Sequence, residues 1–326
     1  MTGRRDGQSI KKKEREMINI KKAFREREPR KKEAIYASDF GKPAFDIWHS
    51  LLGTPVTNKI RTESLLIMEC GKQIEEALVA KMRDAGEFAT LAQCQDAGLS
   101  IMREQVRVDT DCMGFPVHGY VDAFDMDINP VEIKTYYGDY YGRELENDTP
   151  KPNYVMQLAV YMIALGFDSG TMLHINRGTG GYSVLNADIN SELSVKCGKT
   201  TVCMAKECKR LAGVWNAYKN GTIVEPDEEY KCKITPEFLK TQSEANIKKA
   251  IKGNKVLGTH PYAIQYSAYK DYWLEAEASR KGCEIVELMG YSDAELGFME
   301  EFIGAKVNTA TGRFCKIRQT KERNLL

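Results

Sequence analysis

Apolar residues recur at helical spacing through the first part of the chain and at alternating positions further on. Phe45, Trp48, Leu51 and Leu52 follow Ser38 and Asp39, side chains that can accept backbone N–H bonds, so IYASDFGKPAFDIWHSLLG reads as a capped helix start. Across Thr62 to Ala85, Leu66, Ile67, Ile74, Leu78 and Met82 form the stripe of an amphipathic helix, with Glu75 and Glu76 beside it. Gln105 to Val108 alternates like a strand. After Gly114, VHGYVDAFDMDI and PVEIKTYY read as two strands joined by a turn at Asn129-Pro130. Asn153 to Leu165 predicts a helix, Gly170 to Asn176 a strand, and Leu193 to Asn220 a long helix capped at Asn220-Gly221. From Val224 the pattern breaks into short helical pieces (TPEFLKTQSEANIKKAI, YSAYKDYWLEAEASRK, SDAELGFMEEFIG). The expected fold class is therefore α/β, a central mixed β-sheet flanked by helices, with a mainly helical carboxy-terminal extension.

Charge changes this picture at one end. The 326 residues carry a net charge of +1, which gives no whole-protein signal for a polyanion. Residues 1–33, however, hold 13 Lys or Arg against 6 Asp or Glu, leaving 34 against 40 for the rest. Three parts are expected: a basic arm (1–33), a core (34–222) and the extension (223–326). The arm reads as a solvated charged face or a phosphate-binding tail. No run of eighteen apolar residues and no apolar leader occurs, so a soluble cytoplasmic protein with no membrane partner is expected. Nine cysteines without a C-x-x-C read as reduced thiols. His49, His118, His174 and His260 show no zinc-like pairing, and His118 reads as a satisfied strand histidine.

The chemistry concentrates between His118 and Tyr161. Asp122 ends one apolar run and Glu132 lies in the next; on adjacent strands their carboxylates could share a hard divalent cation. Lys134, two residues on, shares the face of Glu132, while Ile133 points into the core and could offer its carbonyl to the metal. The Lys134 ammonium could orient an attacking water or stabilise a pentavalent phosphate. Gln157 and Tyr161 are one helical turn apart and could hold Lys134 or a DNA phosphate. Glu-x-Lys recurs at Glu207 and Glu229, so the signal lies in the combination rather than in the tripeptide. Between the two parts lies a tyrosine-rich loop. Tyr136, Tyr137, Tyr140 and Tyr141 could stack bases and Arg143 could meet a phosphate, a packed lid being the alternative.

The order Glu75, Asp122, Glu132-x-Lys134, Gln157-x-x-x-Tyr161 resembles the PD-(D/E)XK nuclease superfamily, in particular its RecB-like and phage exonuclease branches. The resemblance covers roughly residues 35 to 220, with GKQIE (Gly71 to Glu75) matching the superfamily's upstream helix pattern. It implies a restriction-endonuclease-like core, Mg2+ or Mn2+ bound by Glu75, Asp122, Glu132 and the Ile133 carbonyl, and cleavage of DNA, commonly from an end. The setting would be recombination, repair or phage genome processing in a bacterial or phage-infected cell, beside recombination or replication proteins. A DNA-binding or assembly subunit that retains the fold, and a trimming nuclease of the CRISPR-adaptation type, stay open, as does an oligomer. Some RecB-like nucleases carry an iron-sulfur cluster; YASDFGKPAFDIW and HPYAIQYSAYKDYW resemble its two ligand segments, but without the cysteines. No cluster is expected.

Overall fold

The computed structural model describes residues 24, 31–102, 105–138, 147–226, 267–273, 276, 283–287 and 315–319. Nearly all of the basic arm lies outside them.

The alternating stretches form two mixed sheets. In the first, β1 (Ile35–Tyr36) runs parallel to β4 (Val117–Val121), which pairs antiparallel with β3 (Gln105–Thr110), itself edged by β2 (Ile101–Met102). The second begins with β5 (Ala123–Phe124) against β6 (Pro130–Tyr136). It continues through β7 (Ser169–Asn176), parallel to β6, and then β8 (Tyr182–Ile189), β9 (Ser194–Cys197) and β10 (Thr200–Cys203). Parallel strands need a crossover, and α4 (Pro152–Leu165) supplies it between β6 and β7. The earlier helices are α1 (Ala44–Leu52), α2 (Thr62–Asp84) and α3 (Leu91–Asp96); α5 (Met204–Asn220) follows β10.

Helix α4 is the centre of the core. Val155, Leu158, Ala159, Val160 and Met162 are wholly buried, as befits a helix that touches strands of both sheets. They pack with Ile35, Phe40, Val117, Met172, Ala187 and Val195. A smaller cluster beneath α2 joins Val79 to Phe88, Ala123, Val131, Ile133 and Leu173.

Four expectations are corrected. The first predicted strand breaks at Asp122, so that β4 belongs to one sheet and β5 to the other. Asp39 caps a 3-10 turn (Ala37–Asp39) rather than a helix: its carboxylate accepts the Tyr36 N–H at 3.0 Å and pairs with Lys32 and Lys42, and α1 starts only after Pro43. The helix predicted from Leu193 begins at Met204, because Ser194–Cys197 and Thr200–Cys203 bury alternate residues and turn at Gly198. The stripe on α2 is buried only toward its carboxy-terminal end; Leu66, Ile67 and Ile74 are 39%, 54% and 37% exposed.

In the extension, residues 270–273 are helical, and Cys283–Glu287 (β11) pairs antiparallel with Cys315–Gln319 (β12), a hairpin that the mainly helical reading did not include. The segments TPEFLKTQSEANIKKAI and SDAELGFMEEFIG lie outside the described residues. No helix among the described residues is long and apolar enough to cross a membrane.

Candidate active site

Strand β6 sorts its side chains by alternation. Val131 and Ile133 enter the cluster under α2, while Glu132 and Lys134 share the other face. Lys134 Nζ lies against Glu132 Oε1 as an ion pair. Glu132 is fully buried, and beyond that pair neither of its oxygens has a hydrogen-bond partner among the described residues. Asp122, at the break between the sheets, accepts the Ile133 N–H at 2.8 Å. The strand that presents Glu132 and Lys134 therefore also fixes the second carboxylate.

Helix α2 contributes Glu75. The approach is made at Gly71, where a Cβ would stand 2.8 Å from Thr135 Oγ1. One turn later Glu75 is half-buried and hydrogen-bonds to Asp122. Glu76 is exposed and pairs with Lys72 at 3.5 Å, so it is not part of the cluster.

Helix α4 completes the arrangement. Lys134 Nζ donates to Gln157 Oε1 at 3.3 Å, and Gln157 Nε2 donates to Tyr161 Oη at 3.1 Å. Tyr161 is buried over Gly119, whose Cβ, if it had one, would stand 2.7 Å from the ring. The ring of Tyr154 lies 5.2 Å from the Lys134 ammonium. Glu75, Asp122, Glu132, Lys134, Gln157 and Tyr161 are thus assembled from three regions of the chain.

The charges in this cluster do not balance. Burial, and then the charge of Asp122, push Glu75 up to about 8. Glu132 rises to about 8 for the same two reasons, although Lys134 opposes them. Asp122 is raised by burial against the pull of Lys134 and the Ile133 N–H. Burial works against the Lys134 charge, yet Glu132 and Asp122 hold its pKa above the ordinary value. Burial keeps the Tyr161 hydroxyl protonated. Three acids facing one ammonium would bind a further positive charge or retain protons.

That donor set fits a hard divalent cation: carboxylate oxygens only, one of them on a wholly buried residue and short of partners. Among the described residues, no three His, Cys, Asp or Glu side chains already stand close enough to form a metal cage. Ile133 is placed by its N–H, and its carbonyl as a ligand stays a proposal.

Beside the carboxylates runs a groove of about 580 Å³ between the start of α2, the end of β6 and the start of α4. Tyr136 and Tyr137 line it, whereas Tyr140, Tyr141 and Arg143 lie outside the described residues. Sequence reasoning missed Arg177 and Tyr154. Arg177 lines the groove and donates to the Ile67 carbonyl at 2.6 Å, a partner 110 residues away that no local pattern reveals. Gly119 sits inside GYVD, where a tight glycine before the Asp was available as a signal. His118 lies against Asp109 at 3.2 Å. His174 is buried and held neutral, its pKa lowered to about 4 by burial.

No family model and no curated protein matches this chain. Among solved structures, it is similar to the alkaline exonuclease LHK-Exo from Laribacter hongkongensis. A complex of LHK-Exo with dAMP aligns at TM-score 0.40 and 14% identity, and a second structure of that protein at 0.38 and 13%; each covers 58% of this chain and 89% of that one. A structure of SSO0001 aligns at TM-score 0.38 and 11% identity over 65% of this chain and 86% of the other. Likeness at that level carries no function across.

Proposed function

We propose that the chain is a divalent-metal-dependent nuclease of the PD-(D/E)XK kind. More particularly, we read it as a deoxyribonuclease, acting from DNA ends in recombination, repair or phage genome processing. The observation that carries this reading is Glu132, wholly buried and paired among the described residues with an ammonium alone, beside two further carboxylates whose pKa values are raised. Burying an undercompensated charge costs several kcal/mol, about 3–5 when a partner is missing, and that cost is difficult to explain in a purely structural position.

In this reading Glu75, Asp122, Glu132 and the Ile133 carbonyl would hold Mg2+ or Mn2+, which when bound would supply activation of water and compensation of charge developing on the phosphate. Asp122 is positioned by the Ile133 N–H. Lys134, held by Gln157, directs its ammonium toward the attacking water or a non-bridging phosphate oxygen. Tyr161, accepting from Gln157 Nε2, fixes the amide orientation that leaves Gln157 Oε1 facing Lys134.

The test is digestion of end-labelled linear, circular and single-stranded DNA with Mg2+ or Mn2+. Wild-type protein should degrade linear DNA, and Lys134→Ala should lose cleavage while remaining folded. Full activity in that variant, or undiminished activity in excess EDTA, overturns the reading.

A further inference from the structure

The groove beside the carboxylates allows the substrate to be specified, on the premise that the site is a nuclease. Its volume of about 580 Å³ is in the range of pockets that enclose one small molecule. A duplex, whose major groove alone is about 12 Å wide, is far larger than such a space. The lining combines flat rings with cations, the pairing that holds single strands: bases stack on the rings while phosphates meet the charges.

Two residues make this a built site. Tyr137 is 71% exposed, and its ring rests on the backbone at Gly178, where a Cβ would stand 3.3 Å from it. The ring is therefore a supported platform with its other face open. Arg177 lines the groove and is anchored by its donation to the Ile67 carbonyl. A planar guanidinium fixed at one corner, with further N–H donors, is preorganised for an oxyanion. Lys134 lines the same groove and joins it to Glu132, so a strand lying there would reach the carboxylates.

We propose that this groove holds the end of a single DNA strand, with Arg177 on a phosphate and Tyr137 under a base. The experiment is fluorescence anisotropy of a labelled oligothymidylate of about 12 nucleotides, in EDTA so that nothing is cleaved. The full chain is compared with Arg177→Gln, Arg177→Lys and Tyr137→Ala, and melting temperatures are recorded for each. Tyr137→Ala should weaken binding roughly five- to 150-fold. Arg177→Gln should reduce the slope of log affinity against log salt by about 0.7, while Arg177→Lys keeps it. The Lys variant and the exposed Tyr137 separate a lost phosphate contact from a disturbed α2.

Wild-type affinity and salt slope in both Arg177→Gln and Tyr137→Ala overturn the proposal. So does a duplex, or an oligouridylate of equal length, that competes better than the single DNA strand. Because binding is read without cleavage, the two readings fail separately. A chain that binds through these residues but cuts nothing refutes the nuclease, and one that cuts while the variants bind normally refutes the groove.

Discussion

Gly119→Ala tests how the buried tyrosine sets the lysine. The new Cβ would stand 2.7 Å from Tyr161 Cε1 and 3.0 Å from the Ala37 Cβ, against an ordinary carbon separation of about 3.5–4.0 Å. Tyr161 is only 2% exposed and packed on all sides, so the ring must yield by roughly 1 Å or strand β4 must move. Overpacking of this kind costs about 1–3 kcal/mol. For a folded unit of this size, each kcal/mol lowers the melting temperature by about 2–4 °C, which gives a fall of roughly 2–12 °C. A shift of the ring also stretches the 3.1 Å bond from Gln157, and with it the 3.3 Å contact that holds Lys134. Displacing a working group by about 1 Å costs on the order of 10²-fold in rate.

The assay pairs thermal melting with digestion of end-labelled DNA. Tyr161→Phe, which keeps the ring and loses the hydroxyl, should reduce cleavage without the steric penalty. In a Tyr161→Ala background the Gly119→Ala cost should shrink, leaving the closer approach to Ala37, a coupling of about 0.5–3 kcal/mol for residues in contact. A wild-type melting temperature for Gly119→Ala, or the same penalty with and without Tyr161, refutes the reasoning.

Two further outcomes follow from the carboxylates. Glu75 sits at about 8 against an ordinary 4.5, so the folded chain keeps a proton that the unfolded chain releases. That contribution to stability is fully present below about pH 4.5, is lost as pH rises to about 8 and is flat above; one proton gives a ceiling of about 1.4 kcal/mol per pH unit, reduced by the partial exposure of Glu75. Metal-free wild-type protein should therefore melt lower at about pH 8 than at about pH 5, and Glu75→Gln should make that fall shallower, with Glu132 still contributing over the same window, parallel curves being the refuting result. Added Mn2+ or Mg2+ should stabilise the wild type by about 2.7 kcal/mol at a hundredfold excess over Kd and so raise its melting temperature, and Asp122→Asn should abolish that rise; an equal rise in the variant would show that the cation binds elsewhere.

Where the pattern was local, it was legible. Glu132 and Lys134 are two apart on a strand, Gln157 and Tyr161 four apart on a helix, and Gly71 lies one turn before Glu75, so each spacing alone placed its side chains on one face. What escaped depends on partners distant in sequence or on elements too short to show a period. The four-residue strands β9 and β10 fall below the length at which alternation separates from helical spacing, and Gly198 at their turn was the one local sign. The change of sheet at Asp122 cannot be read from GYVDAF, since both halves are equally apolar; it follows from β5 pairing with β6 while β4 pairs with β3. The exposed Ile67 and Leu66 show the reverse error, in which a stripe predicted burial that the fold supplies only further along α2.

The two segments that the superfamily resemblance sets apart, before and after the core, are in contact. Asp46 of α1 accepts Trp273 Nε1 at 2.6 Å and Ser267 Oγ at 2.8 Å, and the Ala268 carbonyl accepts the N–H groups of Thr57 and Asn58 at 3.0 and 3.1 Å. His49 stacks on Tyr269 and Tyr272, with centroids 5.2 and 4.8 Å away, and is kept neutral by burial. Burial raises the Asp46 pKa, and the indole and hydroxyl partly offset that, so the carboxylate and its two donors depend on one another. On the other side of the same loop, Gly41 adopts a left-handed φ of +77°, donates to Glu207 at 2.8 Å and lies so close to Asn153 that a Cβ would stand 2.9 Å away. No side chain, a cysteine included, fits there without moving α4. Residues 267–273 therefore belong to the packing of α1.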